Sequence, residues 1–324
     1  MTASSPGPTH GFVLRGRVRP GGGQPDIPDG VVVVDARGRI DRIAPAGSVA
    51  LPPELPVAGG AGAVVMPGIV DAHVHLAFAA AAAAAPAFSD LLGAGVVGVR
   101  DLGAPPARAL GWRTPPGSGA APVVAVAGPL LTAPGGYPSR GWGREGFSRP
   151  MTGPADARAA VAALAHLGVD VLKLALEPAG SSPVPEPDTA RAVVEAAHAR
   201  DLAVTCHALS AAMVDRGLDA GVDEFCHVPV EPLPPPLVDR LAGAGVAVVS
   251  TLQTLADGGH ERTSMANARA LVAGGVPLIY GTDLGNVGTR PGAEPRELER
   301  LVGAGLSRAA ALRSATAGAA GSVR

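Results

Sequence analysis

The chain has 324 residues, a formal net charge of -2 at pH 7 and 47% hydrophobic residues. That length suits one large domain with a smaller one beside it, and the near-balanced charge argues against a nucleic-acid or membrane-surface role. Aromatic residues are only 3% of the chain, so Ala, Val and Leu must fill its core.

Met1 to His10 is polar and Pro-rich, without the basic region and apolar core of a signal peptide. Residues 11 to about 63 follow as short strands and turns. Phe12 to Val18 and Val31 to Val34 are the clearest strands, and Ile40 to Ile43 returns from a hairpin-like turn at Asp35-Ala36-Arg37-Gly38-Arg39. This small N-terminal unit, residues 1–63, is expected to be half of a β-sandwich.

From Val64 to the C-terminus, apolar strands alternate with Ala-, Leu- and Arg-rich helical stretches, the pattern of βα units around a parallel sheet. Eight strands are predicted: Val64–Leu76, Val96–Leu102, Pro122–Ala127, Val171–Leu176, Ala203–His207, Glu224–Val228, Val246–Thr251 and Pro277–Asp283. Predicted helices are Ala87–Leu92, Ala155–Leu167, Asp188–Arg200, Ala211–Ala220, Leu237–Ala242, Ala266–Ala273 and Glu294–Val302. Eight such units give an α/β fold, a (β/α)8 TIM-like barrel over residues 64–324, beside a small and incomplete N-terminal β-sandwich unit. In such barrels chemistry sits at the C-terminal strand ends. An open doubly wound sheet is the runner-up, but no Gly-x-Gly-x-x-Gly follows the first strand. The alanine run Ala79 to Ala85 is too short to span a bilayer. Cys206 and Cys226 make no disulfide framework, so a reducing cytoplasm is the expected compartment.

Polar residues fall at the strand ends. His73 and His75 sit one residue apart, so strand alternation points both the same way, where two imidazoles can hold one divalent ion. His207 ends the fifth strand, His227 the sixth and Asp283 the eighth. Lys173, in the fourth, is the only lysine among the 26 Lys and Arg residues. A charged amine inside an apolar strand is costly. A neutral amine can do what guanidinium cannot: add carbon dioxide to become a two-oxygen carbamate. Cys206 and Cys226 directly precede His207 and His227, so alternation turns them away from the lumen as packing residues.

Taken together, Pro67-Gly68-Ile69-Val70-Asp71-Ala72-His73-Val74-His75, the run Val99-Arg100-Asp101-Leu102-Gly103, Lys173, His207, His227 and Gly281-Thr282-Asp283 resemble the amidohydrolase superfamily of metal-dependent hydrolases, over roughly residues 10 to 318. Gly281-Thr282-Asp283-Leu284-Gly285-Asn286, with the later Glu297-Leu298, resembles the branch holding imidazolonepropionase-like enzymes and Xaa-Pro dipeptidases. The resemblance implies a metal-dependent hydrolysis of a carbon–nitrogen bond in an amide, cyclic amide or dipeptide. It implies two divalent ions, with Zn the leading choice. His73, His75 and Asp283 would hold one, His207 and His227 the other, and carboxylated Lys173 would bridge them. A bridging hydroxide would attack, and Asp283 would shuttle its proton. Alternatives are a Xaa-Pro-type dipeptidase specifically, a deaminase of the same superfamily, or a truncated, inactive metal-binding relative.

The long loop after the third strand carries Tyr137, Arg140 and Trp142. Tyr137 and Arg140 are the candidate substrate-binding residues, with Arg140 a two-pronged clamp for a substrate carboxylate. The expected partner is a small molecule, carboxylate-bearing on this reading, with no nucleic acid or membrane involved. Superfamily members usually continue past the last helix into strands that complete the sandwich, whereas here Ala315-Thr316-Ala317-Gly318 is soon followed by Arg324. An N-terminal unit short of partner strands predicts a homo-oligomer or poor solubility.

Overall fold

The computed structural model describes residues 11–79, 84–114 and 120–323. The start Met1 to His10 and most of the alanine run thus lie outside the described residues. The chain divides into two compact units, Met1–Gly68 and Ile69–Arg324.

The first unit is one four-stranded sheet built from β1 (Phe12–Val18), β2 (Ile27–Val34), β3 (Ile40–Pro45) and β4 (Val57–Val65), in the order β3-β2-β1-β4. The β2–β3 turn forms because Asp35 Oδ1 accepts from the backbone N–H of Arg37 at 2.9 Å and of Arg39 at 2.8 Å, an Asx-turn. Val18, Val32 and Val34 form its small core. The stretch Val64–Leu76, read from sequence as one strand, is two. Its first residues finish β4, and pairing resumes at Ile69. Between them Pro67 has no N–H to give a ladder and restricts Met66 as well.

In the second unit, β5 (Ile69–Val74), β6 (Val96–Asp101) and β7 (Val123–Val126) form a parallel three-stranded sheet. Next come β8 (Leu130–Thr132), β9 (Ser148–Pro150), β10 (Val171–Ala175), β11 (Ala203–His207), β12 (Glu224–Phe225), β13 (Ala247–Val249) and β14 (Leu278–Ile279). These pair in the order β14-β13-β12-β11-β10-β8-β9. The two sheets join into a barrel. On one side the Asp170 N–H reaches the Val126 carbonyl at 2.9 Å. On the other, Ala72 N–H donates to Tyr280, His75 N–H to Leu284 and Asp283 N–H to His73, and Val74 bridges Leu284 in parallel. The ring is β5, β6, β7, then β10 through β14: eight parallel strands, the TIM-like barrel expected from sequence.

The third strand differs from its predicted form. It breaks after Val126, where Gly128 adopts φ 73°, a backbone state that favours glycine. Its upper half resumes as β8, which pairs with β10 at Leu131 and Leu174.

Helices pack outside the strands. Pro106–Gly111, Pro154–Leu167, Pro187–His198, Pro235–Ala244 and Pro295–Gly303 each begin on proline, the position where its missing N–H costs nothing. Strand alternation sorts the residues of β10. Leu172 and Leu174 join the outer shell with Ala160, Val161, Leu164 and Val193 of the helices, whereas Val171 sits with Leu102, Ala127 and Cys226 in a separate inner layer. Alanine on the helices lets them approach closely, which is how a chain poor in aromatics still buries its leucines, each contributing about 1.5–3 kcal/mol.

The outer strands of the first unit's sheet carry exposed apolar side chains: Ile40 on β3 is 63% exposed, and Val57 and Val64 on β4 are 57% and 55% exposed. Exposed apolar edges favour self-association. Sedimentation velocity should detect association at high concentration, weakened by Val57→Lys with Val64→Lys. A monomer at every concentration, without binding of a surface-sensing dye, rules this out.

Candidate active site

The barrel lumen collects His73, His75, Lys173, His207, His227 and Asp283, all buried at 8% exposure or less. Each reaches it for a local reason. His73 and His75 share the inward face of the first strand with Asp71. Lys173 lies opposite Thr205 in the β10–β11 register, and His207 lies opposite Ala175. Asp283 follows β14 in a left-handed turn, φ 55°, a state an aspartate tolerates better than a bulky residue. Gly281 allows the eighth strand to close: a Cβ there would stand 2.3 Å from Val249 Cγ1 and 3.1 Å from His73 Cβ.

The donor atoms converge. His73 Nε2 is 3.3 Å from His75 Nε2 and 3.2 Å from Lys173 Nζ. Asp283 Oδ1 lies 3.3 Å from His73 Nε2 and 3.5 Å from His75 Nε2. His73, His75 and Asp283 each offer a ligand atom, all within 4.8 Å of one another. The His73 Nδ1–H donates to the Cys226 carbonyl at 2.8 Å. That bond fixes the tautomer and leaves Nε2 with a free lone pair. His207 Nε2 and Asp283 Oδ1 are buried with no hydrogen-bond partner. Orphaned polar atoms in a buried site are costly, and a divalent cation satisfies them. The residues therefore fit a metal.

Electrostatics point the same way. Burial, then the Lys173 charge, hold His75 down to about 3, and the same two causes act in His73, His207 and His227, all well below the ordinary imidazole value. At neutral pH all four rings are uncharged, the form that binds metal. Burial raises Asp283 to about 6, with Lys173 opposing.

Residues beneath the site hold it in place. Asp71 accepts from the Thr282 N–H at 3.0 Å, the Thr282 hydroxyl at 2.5 Å and the His73 N–H at 3.1 Å, tying the first strand to the eighth. The His227 Nδ1 and Thr251 Oγ1 are 3.0 Å apart. Arg100 pairs with buried Glu224 and donates from Nε to the Ala72 carbonyl at 2.8 Å. Thr205 Oγ1 donates to Glu224 at 2.7 Å. Glu297 accepts from the N–H groups of Leu252 and Gln253 at 2.9 and 2.6 Å, anchoring the helix after the seventh strand.

A cleft of about 370 Å³ opens above the donor set, with Tyr137 and Trp142 on its wall. Tyr137 stacks on His207, ring centroids 4.8 Å apart, and Trp142 Nε1–H donates to its oxygen at 3.3 Å. Burial pushes the Tyr137 phenol up to about 12, so it keeps its proton. Arg140 is not brought to this cleft. It is exposed, and its guanidinium lies against Gly135, where a Cβ would stand 3.0 Å from Nη2. The loop turns back on itself, and proximity in sequence to Tyr137 does not carry Arg140 inward. Cys206 packs in the outer shell, as expected. Cys226 does not: it faces the inner layer, with Leu102, Ala127 and Val171. Regular pairing in β12 ends at Phe225, so alternation counted back from His227 fails. Glu177, missed in the sequence, places Oε2 3.9 Å from His207 Nε2. Thr251 was also missed and leaves no signal in sequence. Asp71 does leave one, because it shares parity with His73 and His75.

The amidohydrolase family model matches residues 64–323. The chain belongs to the amidohydrolase family. It is a hydrolase acting on carbon–nitrogen bonds. Solved amidohydrolase structures share its fold. A protein of Bifidobacterium longum provisionally named a prolidase is 27% identical with TM-score 0.81, the match covering 97% of this chain and 84% of that one. A Xaa-Pro dipeptidase with bound methionine is 20% identical with TM-score 0.80, over 97% and 89%. The A. niger ochratoxinase is 18% identical with TM-score 0.78, over 97% and 85%. No curated protein matches the chain. Among the described residues, no helix is long and apolar enough to cross a membrane.

The buried Arg100–Glu224 pair beneath this amidohydrolase site should be destabilising to break and cheap to replace. Arg100→Met leaves Glu224 uncompensated and should cost about 3–5 kcal/mol in denaturant unfolding. Arg100→Met with Glu224→Leu should recover most of it. A double variant no more stable than the single one would show that the pair does more than balance charge.

Proposed function

We propose that this amidohydrolase holds two divalent metal ions, most simply Zn, and cuts an amide-type carbon–nitrogen bond of a small molecule. The observation that carries this reading is the convergence of His73, His75 and Asp283 donor atoms on one point, with Lys173 Nζ 3.2 Å from His73 Nε2. His207 and His227, with ring centroids 4.8 Å apart, would form a second donor group. The amine of Lys173 adds carbon dioxide, forming an N–C bond and releasing one proton. The resulting anion would offer two oxygens as ligands to bound metal. The bound ions supply polarisation of the scissile carbonyl and acidification of water to near neutral pH.

The chain's own groups do the rest. Asp283 accepts the proton of the attacking water and returns it to the leaving nitrogen. The carbonyl carbon gains an oxygen and loses the nitrogen, so products are an acid and an amine. Tyr137 keeps its proton and takes a hydrogen bond from Trp142, which leaves its O–H free to donate to a substrate oxygen. The Xaa-Pro dipeptidase and the provisionally named prolidase among the similar structures support including peptide-like bonds in this reading.

Lys173→Arg keeps the positive charge but cannot form the carbamate. It should lower metal content below two ions per chain by elemental analysis and reduce turnover by at least about a hundredfold, as when a group that assembles the site is lost. Lys173→Ala should regain part of its activity with added acetate or propionate. Lys173→Arg with two metals per chain and near-normal turnover overturns the bridging role.

A further inference from the structure

The cleft above the donor set has a marked division of chemistry. Its floor is polar: His75, Lys173, His207, His227 and Asp283. Its wall and rim are mainly apolar, with Phe78, Leu130, Trp142, Leu209, Leu255 and Val287, and Tyr137 and Asn286 the uncharged polar members. The chain has five Phe, two Trp and two Tyr, and Phe78, Trp142 and Tyr137 all line this one cleft. Phe78 and Trp142 meet edge to face, ring centroids 5.6 Å apart at 90°. Phe147 stacks behind Phe78 at 5.1 Å. Val287 stands at the rim 99% exposed and Phe78 is 40% exposed. Three of the nine Phe, Trp and Tyr residues thus line the cleft.

Charge gives a second, independent observation. Among the described residues that line the cleft, Lys173 is the only lysine or arginine, and the proposed function converts it to an anionic carbamate on the floor. Arg140 is turned against Gly135, outside the cleft. The internal stretches outside the described residues, 80–83 and 115–119, hold only Ala, Pro, Gly and Ser, so neither can supply a positive charge. A substrate carboxylate lying along this wall would be desolvated with no partner, which strongly disfavours it. A flat uncharged ring would gain apolar burial and edge-to-face packing instead.

We infer that the substrate is an uncharged amide carrying an apolar, preferably aromatic, group that lies against Phe78, Trp142 and Leu209. This rests on the amidohydrolase reading of the floor and names the substrate class that the wall accepts. It replaces the carboxylate-bearing substrate expected from Arg140.

The test compares matched pairs on metal-loaded enzyme, by calorimetry for binding and by product analysis for hydrolysis. Acetanilide is set against 4-acetamidobenzoate, and N-benzoylglycinamide against N-benzoylglycinate. The neutral member should bind at least about tenfold more tightly in each pair. Trp142→Ala should lose at least about tenfold in affinity for acetanilide while the protein keeps its metal content. Equal or tighter binding of the carboxylate members, or no binding of either neutral member, overturns the inference. Preferred hydrolysis of the carboxylate members would overturn it and leave the proposed function standing. Selective binding of the neutral members without hydrolysis would support the inference and count against the proposed function.

Discussion

The hydrogen bond from the Asp283 N–H to the His73 carbonyl, 2.8 Å long, is the constraint on which the rest depends. It joins the eighth strand to the first, so it closes the barrel. It also sets Asp283 Oδ1 within 3.5 Å of both His73 and His75 Nε2. Closure and site assembly are therefore one event. Asp71 reinforces it from below by taking three hydrogen bonds that span both strands. Gly281 makes it sterically possible, because any side chain there would strike Val249.

That arrangement carries an electrostatic cost. Four neutral imidazoles, a lysine and an aspartate share one buried lumen, and three of their atoms, His75 Nδ1, His207 Nε2 and Asp283 Oδ1, have no hydrogen-bond partner. Groups held this way are unfavourable by themselves and become favourable when a divalent cation satisfies them. The rigid part of the design lies underneath, in the Arg100–Glu224 pair with Thr205 and in the Glu297 carboxylate holding the helix after the seventh strand. Such supporting contacts keep donor atoms within reach of one another.

The same barrel sorts its chemistry by depth. Alternation sends leucines outward into the helical shell and polar groups inward to the floor. The segments after the strands then add an apolar wall from Phe78, Trp142, Leu209 and Leu255. The floor determines which bond is attacked, and the wall determines what may lie across it. An unpaired carboxylate meets no compensating charge on that wall, so reaction type and substrate class come from different layers of one fold.

The sequence by itself determined the barrel, because eight apolar runs alternating with helical stretches have few other ways to bury themselves. It also determined the identity of the floor residues, since His73, His75, Lys173, His207, His227 and Asp283 end or interrupt those runs, and strand parity says which way most of them point. Parity failed at Cys226, because pairing in the sixth strand stops at Phe225 and counting no longer applies. Proline hid the split of Val64–Leu76 into two strands, and the helices starting at Pro154, Pro187 and Pro235 begin one or two residues before their predicted starts because proline fits the first turn. Only the tertiary structure decided the cleft wall. Phe78, Trp142 and Leu209 come from three segments that follow different strands, and Arg140 turns away although it lies between Tyr137 and Trp142. Thr251 and Glu177 likewise gain meaning only beside His227 and His207. Periodicity records which face of a strand a residue takes, whereas loop side chains are placed by contacts between segments far apart in the chain.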